Sequence, residues 1–273
     1  MITLPNAKIN IGLKVLGKRS DGYHNIESVF YPVGLSDSLE LLPAEGPPKF
    51  NFSTSGLPIP GDVSSNLCLK AYELIAKDYP LPAVKVHLHK HIPIGAGLGG
   101  GSADAAFFIR MLNDTFELGL AWGELHHYAK QVGSDCSFFI SNRPAMITGR
   151  GEEMESMNFS LSGYKLVLVC PPVHISTKEA YSMVNPGNSG LDLETFVTDH
   201  PLKEWKDVVL NDFEKNIFLK YPQLQSIKQA LYQAGAIYAS MTGSGAAIYG
   251  VFESDSELSE KFDSCFLWEG ILA

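Results

Sequence analysis

Residues 93–106 read PIGAGLGGGSADAA, and no other stretch constrains the chain as much. Five glycines, Gly95, Gly97, Gly99, Gly100 and Gly101, fall within seven positions. Glycine costs stability inside regular structure, but it reaches positive φ and lets another molecule approach the backbone. Upstream, Val84, Val86 and Leu88 alternate with Lys85, His87 and His89, which is a strand pattern. Downstream, Ala105, Phe108, Ile109 and Leu112 share one face of a helix predicted over 101–114. A glycine turn between strand and helix can aim free N–H groups and a helix N-terminus at an anion. The plainer alternative is a flexible surface loop.

Three anion-binding motifs can be compared with it. A Walker A loop requires Lys-Ser/Thr directly after its last glycine, and no lysine follows here. Gly95, Gly97 and Gly100 satisfy Gly-x-Gly-x-x-Gly. However, Pro93 intervenes, the loop lies far from the N-terminus, and no strand ending in Asp or Glu follows about 20 residues on. The third option is a kinase loop that wraps a triphosphate without a P-loop lysine. Ser102 then serves either as a helix cap or as a phosphate or Mg²⁺ contact. Asp104 either complements the helix dipole or joins the phosphate or metal site.

The remainder of the chain reads as mixed α+β in two layers, not as a regular βαβ alternation. In AKINIGLKV (7–15), Ile9, Ile11, Leu13 and Val15 share one strand face, and Lys8, Asn10, Gly12 and Lys14 share the other. Strands are also predicted over 27–34, 38–43, 49–54, 144–148, 164–170, 236–241 and 246–252. Helices are predicted over 65–78, 121–132, 177–184, 203–220 and 222–234. Residues 185–192 form the longest structureless stretch. A domain boundary near 155–163 divides the chain into 1–157 and 158–273.

Composition excludes some classes of partner. The net charge is −9, so the surface does not attract nucleic acid or anionic lipid at long range. An anionic substrate therefore needs locally placed positive potential. No apolar run is long enough to span a bilayer, and the N-terminus lacks a signal pattern. Cys68, Cys136, Cys170 and Cys265 are scattered, which suits reduced thiols in the cytoplasm. His87, His89 and His91 recur at alternate positions without a carboxylate or cysteine partner, and they read as an exposed strand face. His126 and His127 read as helix surface, and Phe138 and Phe139 as core.

The glycine motif resembles the ATP-binding motif of the GHMP kinases, the small-molecule kinases of galactose, homoserine, mevalonate and phosphomevalonate. The likeness extends through PNAKINIGLKVLGKRSDGYHNIESVF (5–30), GSDCSFF (133–139), TGRGE (148–152) and MTGSGAAIYG (241–250). AKIN, DGYH and GSD together point to the branch of that family whose acceptor alcohol carries a cytidine diphosphate, in non-mevalonate isoprenoid precursor synthesis. Another GHMP kinase, acting on homoserine, mevalonate or a sugar, is the alternative. Ser134 and Ser137 depart from the family's usual alanine and proline.

The resemblance implies an N-terminal ribosomal-protein-S5-like domain, a C-terminal α/β-plait-like domain and an active site in the cleft between them. It implies Asp135 as general base and Lys8 as the polarising cation. ATP and Mg²⁺ are the implied cofactors, with ATP over Pro93, Gly95, Ala96, Gly97, Leu98, Gly99, Gly100, Gly101, Ser102 and Ala103. Ser102 is the candidate Mg²⁺ contact, although the metal would be held mainly by the ATP phosphates. Asn66 and Lys90 match positions near the base and ribose. Asn10, Tyr23, His24 and Tyr181 match the acceptor site, where cytosine would lie between the rings of Tyr23 and Tyr181. Gly243, Ser244 and Gly245 suit either a close approach to ligand or a tight turn. A monomer or weak homodimer, with no nucleic-acid or membrane partner, completes the expectation.

Overall fold

The computed structural model describes residues 1–187, 190–254, 262 and 264–273. In chain order the elements are β1 (Ile2–Thr3), β2 (Asn6–Lys18), β3 (His24–Ser36), β4 (Ser38–Ala44), β5 (Phe50–Gly56), α1 (Leu67–Ile75), β6 (Ala83–Lys90), α2 (Gly100–Thr115), α3 (Trp122–Val132), α4 (Cys136–Ser141), β7 (Ala145–Thr148), β8 (Glu153–Ser156), β9 (Lys165–Cys170), α5 (Thr177–Met183), α6 (Leu193–Asp199), α7 (Glu214–Lys220), α8 (Pro222–Gln233), β10 (Tyr238–Met241), β11 (Ile248–Phe252) and β12 (Phe266–Ile271). They group into two compact units. One comprises Met1–Ala7, Leu35–Ile94 and Gly99–Asn142; the other comprises Lys8–Gly34, Gly95–Leu98 and Arg143–Ala273. The grouping differs from a single cut at 157/158, because most of β2 and β3 and residues 95–98 group with the later chain.

The first unit carries the sheet β1-β4-β6-β5. β5 pairs parallel to β6, and β4 pairs antiparallel to it with Ser38 opposite His89. The alternation along β6 holds: Val84, Val86 and Leu88 are buried, and His87 and Lys85 lie toward solvent. His87 hydrogen-bonds Ser53 and Ser55 across the sheet, and His89 bonds Ser55, so this face is a polar ladder. α2 packs against α1, α3 and α4 through Ala105, Phe108, Ile109 and Leu112, all fully buried.

The second unit carries the antiparallel sheet β10-β11-β9-β12 and the sheet β2-β3-β7-β8. Helix α8 covers β10 and β11, and Leu224 and Leu231 reach the same core as Val167, Val169, Ile248 and Phe252. Two features depart from the sequence pattern. The stretch 203–220 is not one helix: a short 3₁₀ turn spans Leu202–Glu204, and α7 begins only at Glu214. Between them the chain turns over 206–208, and residues 210–212 then bridge to β2, since Leu13 N–H donates to Leu210 O and Asp212 N–H to Leu13 O. The second departure is in β2 itself, where the expected polar face is buried. Lys8, Asn10 and Lys14 are 3%, 2% and 6% exposed.

Candidate active site

The glycine run forms the turn its composition requires. Gly95, Gly97 and Gly99 all have positive φ. Gly99 is the N-cap of α2 in the left-handed conformation, and no side chain caps the helix. The first N–H groups of α2 are therefore left for solvent or an anion. Ser102 is the third residue of α2 and not its cap, and its hydroxyl and the Cys136 thiol both border Gly133. Burial pushes that thiol up to about 12, so Cys136 is an inert packing residue.

The glycines differ in what demands them. A Cβ on Gly97 would stand 2.1 Å from the Thr242 carbonyl oxygen, and one on Gly100 would meet Ile92 and the Lys90 ammonium. A Cβ on Gly101 would meet nothing within 4 Å, and its φ is ordinary. Protein packing thus explains Gly97 and Gly100 but not Gly101, whose bare flank suits a molecule from outside. Gly97→Ala is expected to cost at least about 2 kcal/mol in urea unfolding, through its positive φ and the backbone collision. Gly101→Ala should keep or slightly raise stability, as alanine in a helix does, while weakening nucleotide binding. Unchanged nucleotide affinity in Gly101→Ala would remove the ligand explanation.

Behind the loop stands a buried ionic cluster. The Lys90 ammonium lies 2.5 Å from Asp37 Oδ2 and 2.7 Å from Asp104 Oδ2, with all three side chains at most 5% exposed. Asp37 Oδ1 accepts the N–H groups of His91 and Ile92 at 2.6 and 2.9 Å. Lys90 is therefore not a solvated strand-end lysine, and Asp104 is not a surface charge on the helix dipole. Burial pushes the Asp104 carboxyl up to about 7, against the opposing pull of Lys90. Burial alone would lower the Lys90 ammonium, but the two carboxylates, Asp104 foremost, outweigh it and raise it. The cluster fixes β6, the 91–92 backbone and α2 to one another, so Lys90 acts on the glycine turn from inside the protein.

Asp135 lies in the same unit, half-buried, immediately before α4. The turn holding it is short. Gly133 ends α3 in an extended conformation, Cys136 N–H donates to Gly133 O, and the Lys70 ammonium donates to Val132 O at 2.7 Å. Ser134 Oγ donates to Asp135 Oδ1 at 3.3 Å. Asn66 is the N-cap of α1, its Oδ1 accepting Cys68 N–H at 2.8 Å.

Lys8 belongs to the other unit, where its ammonium is closely held. It donates to Asn10 Oδ1 at 2.5 Å and to Gly97 O at 3.0 Å, and it stands 4.4 Å above the Phe30 ring. Asn10 Nδ2 donates to Ser28 Oγ, and Ser28 Oγ donates to Gly12 O at 2.6 Å. Asn10 is thus spent on orienting the lysine. The turn 241–245 approaches Gly97 backbone to backbone, so the close approach expected of Gly243 is made by the chain itself.

In the DGYH turn, Asp21 accepts Tyr23 N–H, and that bond first of all holds its carboxyl below the usual range. Tyr23 is 59% exposed, with the Arg150 guanidinium 4.9 Å from its ring centre. Tyr181 stacks on His24 at 5.0 Å and packs edge-on to Phe213. His24 thus stacks on Tyr181, and Tyr23 is exposed with Arg150 over its ring.

Sequence reasoning did not single out Ser28, Phe30, Asp37, Lys70, Asn211 or Thr242. Of these, only Thr242 carried a signal, as the residue before Gly-Ser-Gly. None of the four cysteines is in a disulfide. No helix among the described residues is long and apolar enough to cross a membrane.

Residues 66–147 match the family described as GHMP kinases N terminal domain, and residues 198–265 match GHMP kinases C terminal. A 4-diphosphocytidyl-2-C-methyl-D-erythritol kinase of Bacteroides fragilis is 46% identical over 271 residues, covering 98% of each chain. One from Parabacteroides distasonis is 45% identical over 275 residues, covering 100% of each. A crystal structure of 4-(cytidine 5'-diphospho)-2C-methyl-D-erythritol kinase superimposes with a TM-score of 0.82 at 28% identity, covering 100% of this chain and 99% of that one.

Proposed function

The chain belongs to the GHMP kinases, and we propose that within that family it transfers the γ-phosphoryl group of ATP to the 2-hydroxyl of 4-diphosphocytidyl-2-C-methyl-D-erythritol, releasing ADP. The observation that carries the reading is the Lys8 ammonium, 3.0 Å from the carbonyl of Gly97 in the glycine loop. It supplies a fixed cation beside a turn suited to phosphate, on a chain whose overall charge is −9. Full-length relatives at 45–46% identity carry the name of that kinase, which favours this acceptor over homoserine, mevalonate or a sugar.

Phosphoryl transfer needs an activated hydroxyl, charge neutralisation and alignment. In this reading Asp135 accepts the proton of the 2-hydroxyl as its oxygen attacks the γ-phosphorus. Lys8 lowers the pKa of that hydroxyl and offsets the charge that develops. The loop N–H groups and the uncapped start of α2 receive the phosphates, with Pro93, Gly95–Ala103, Asn66 and the inward-acting Lys90 forming or supporting the nucleotide site. Asn10 serves the acceptor through Lys8, and Tyr23, His24 and Tyr181 receive the cytosine, where stacking contributes about 1–3 kcal/mol. Among the described residues no three His, Cys, Asp or Glu gather to cage a metal. In the same reading a Mg²⁺ ion would be carried mainly by the ATP phosphates, with the Ser102 hydroxyl as its protein contact. Such an ion would neutralise phosphate charge. A cytoplasmic location and a monomer or weak homodimer belong to the same reading.

A coupled ADP-release assay tests it, with the cytidylyl alcohol, homoserine, mevalonate and galactose as acceptors. Release is expected with the first alone. Faster release with another acceptor would reassign the substrate. ATP binding without release for any of them would make the protein a nucleotide binder and not a kinase.

A further inference from the structure

We infer that Thr242 is a positioning residue for phosphoryl transfer, because its buried hydroxyl bonds two oxygen atoms that accept from the Lys8 ammonium. Those acceptors are Asn10 Oδ1 and Gly97 O. Thr242 Oγ1 lies 3.2 Å from the first and 3.1 Å from the second, and it accepts Asn10 N–H at 3.0 Å. A hydroxyl has one proton to donate, so it serves one acceptor at a time while its lone pair takes the backbone N–H. Thr242 itself is completely buried. One group thereby anchors the backbone of β2 beside Lys8 and shares its proton between the Asn10 side chain and the carbonyl of the glycine loop.

The turn that carries Thr242 is itself clamped. Asn211 Nδ2 donates to Met241 O at 2.8 Å and to Gly243 O at 2.9 Å, and the Glu214 carboxylate accepts Met241 N–H at 2.7 Å. Tyr249 OH donates to Asn10 O at 2.8 Å. Thr242 is thus held on one side and holds Asn10 and Gly97 on the other. Lys8 touches neither Asn211 nor Glu214 in these bonds; the link runs through the threonine hydroxyl.

The inference rests on the proposed kinase reading, in which Lys8 faces the reacting hydroxyl. Valine keeps the shape of threonine and deletes the hydroxyl, leaving Asn10 N–H buried without a partner. Serine keeps the hydroxyl and deletes the methyl. With ATP and the cytidylyl alcohol, Thr242→Val is expected to lower kcat by about 10- to 100-fold, the scale of an ångström-sized misplacement. The KM values for both substrates should stay within about threefold, and Thr242→Ser should restore kcat to within about threefold of the natural protein. A Thr242→Val kcat within threefold of the natural value would overturn the inference. So would a Thr242→Ser protein as impaired as Thr242→Val, since the methyl group and not the hydroxyl would then matter. A fall in folded fraction by thermal unfolding that accounts for the whole loss would also overturn it. Natural protein that releases no ADP with this pair would instead refute the kinase reading, and the inference with it.

Discussion

Asp135→Asn is expected to lower kcat by about 10²- to 10⁴-fold, the range a positioned general base supplies. The substitution keeps the shape of the side chain and removes its capacity to take a proton. Its local surroundings tolerate the change. Asp135 sits in ordinary right-handed helical backbone at the start of α4, half-buried, with the Ser134 hydroxyl as a neighbour that an amide oxygen can also accept. The Cys136 N–H to Gly133 O bond and the Lys70 ammonium on Val132 O also hold the turn. ATP affinity by titration calorimetry should therefore stay within about threefold, and thermal unfolding should be unchanged. Such a split isolates the chemical step from binding and folding. Turnover close to that of the natural protein would end the assignment of Asp135 as base.

Lys90→Met should have the largest effect on stability, a loss of about 3–5 kcal/mol in urea unfolding. This is the cost of removing one partner from a buried ion pair and leaving the other charge uncompensated. Here two carboxylates are left, Asp37 and Asp104, both at most 5% exposed. Asp104 Oδ1 already lacks a hydrogen-bond partner in the natural protein, so the site has no reserve donor. Methionine matches the length of the lysine stem, which keeps packing loss small. Replacing Asp104 by leucine at the same time removes one stranded charge and should recover part of the loss. A single variant within about 1 kcal/mol of the natural protein would mean that the cluster is solvated.

The two predictions depend on features of unequal visibility in the sequence. Helix α2 was legible because glycine, alanine and large apolar residues fall at helical spacing, and the fold that resemblance implied is the one the solved relative adopts. Strand β2 was legible on its apolar face only. Lys8 and Lys14 look like solvent-facing residues in an alternating pattern, yet both are buried because Gly97 O, Leu191 O and Glu27 receive their charges. Those partners are remote in sequence, and periodicity carries no trace of them. The same holds for Lys90, whose neighbours Asp37 and Asp104 are 53 and 14 residues away. The helix expected over 203–220 failed for a related reason. Leu202, Trp205 and Val209 are spaced like a helical face, but the following residues find backbone partners on β2, and that tertiary pairing overrides local propensity. Among site residues, motif likeness reached those that would meet ligand. It did not reach Ser28, Thr242 and Asn211, which meet only other parts of the chain.

Gly97 rests on the main chain of Thr242 with no side chain interposed. Where two segments meet through side chains, evolution or a designer can retune their separation in small steps by exchanging residues. Here the separation is set by the dimensions of the peptide unit, and no substitution at either position offers a finer adjustment. In the proposed reading, a change of acceptor preference would therefore have to be sought elsewhere, on rings such as Tyr23, His24 and Tyr181, where Arg150 stands over Tyr23 and His24 stacks on Tyr181.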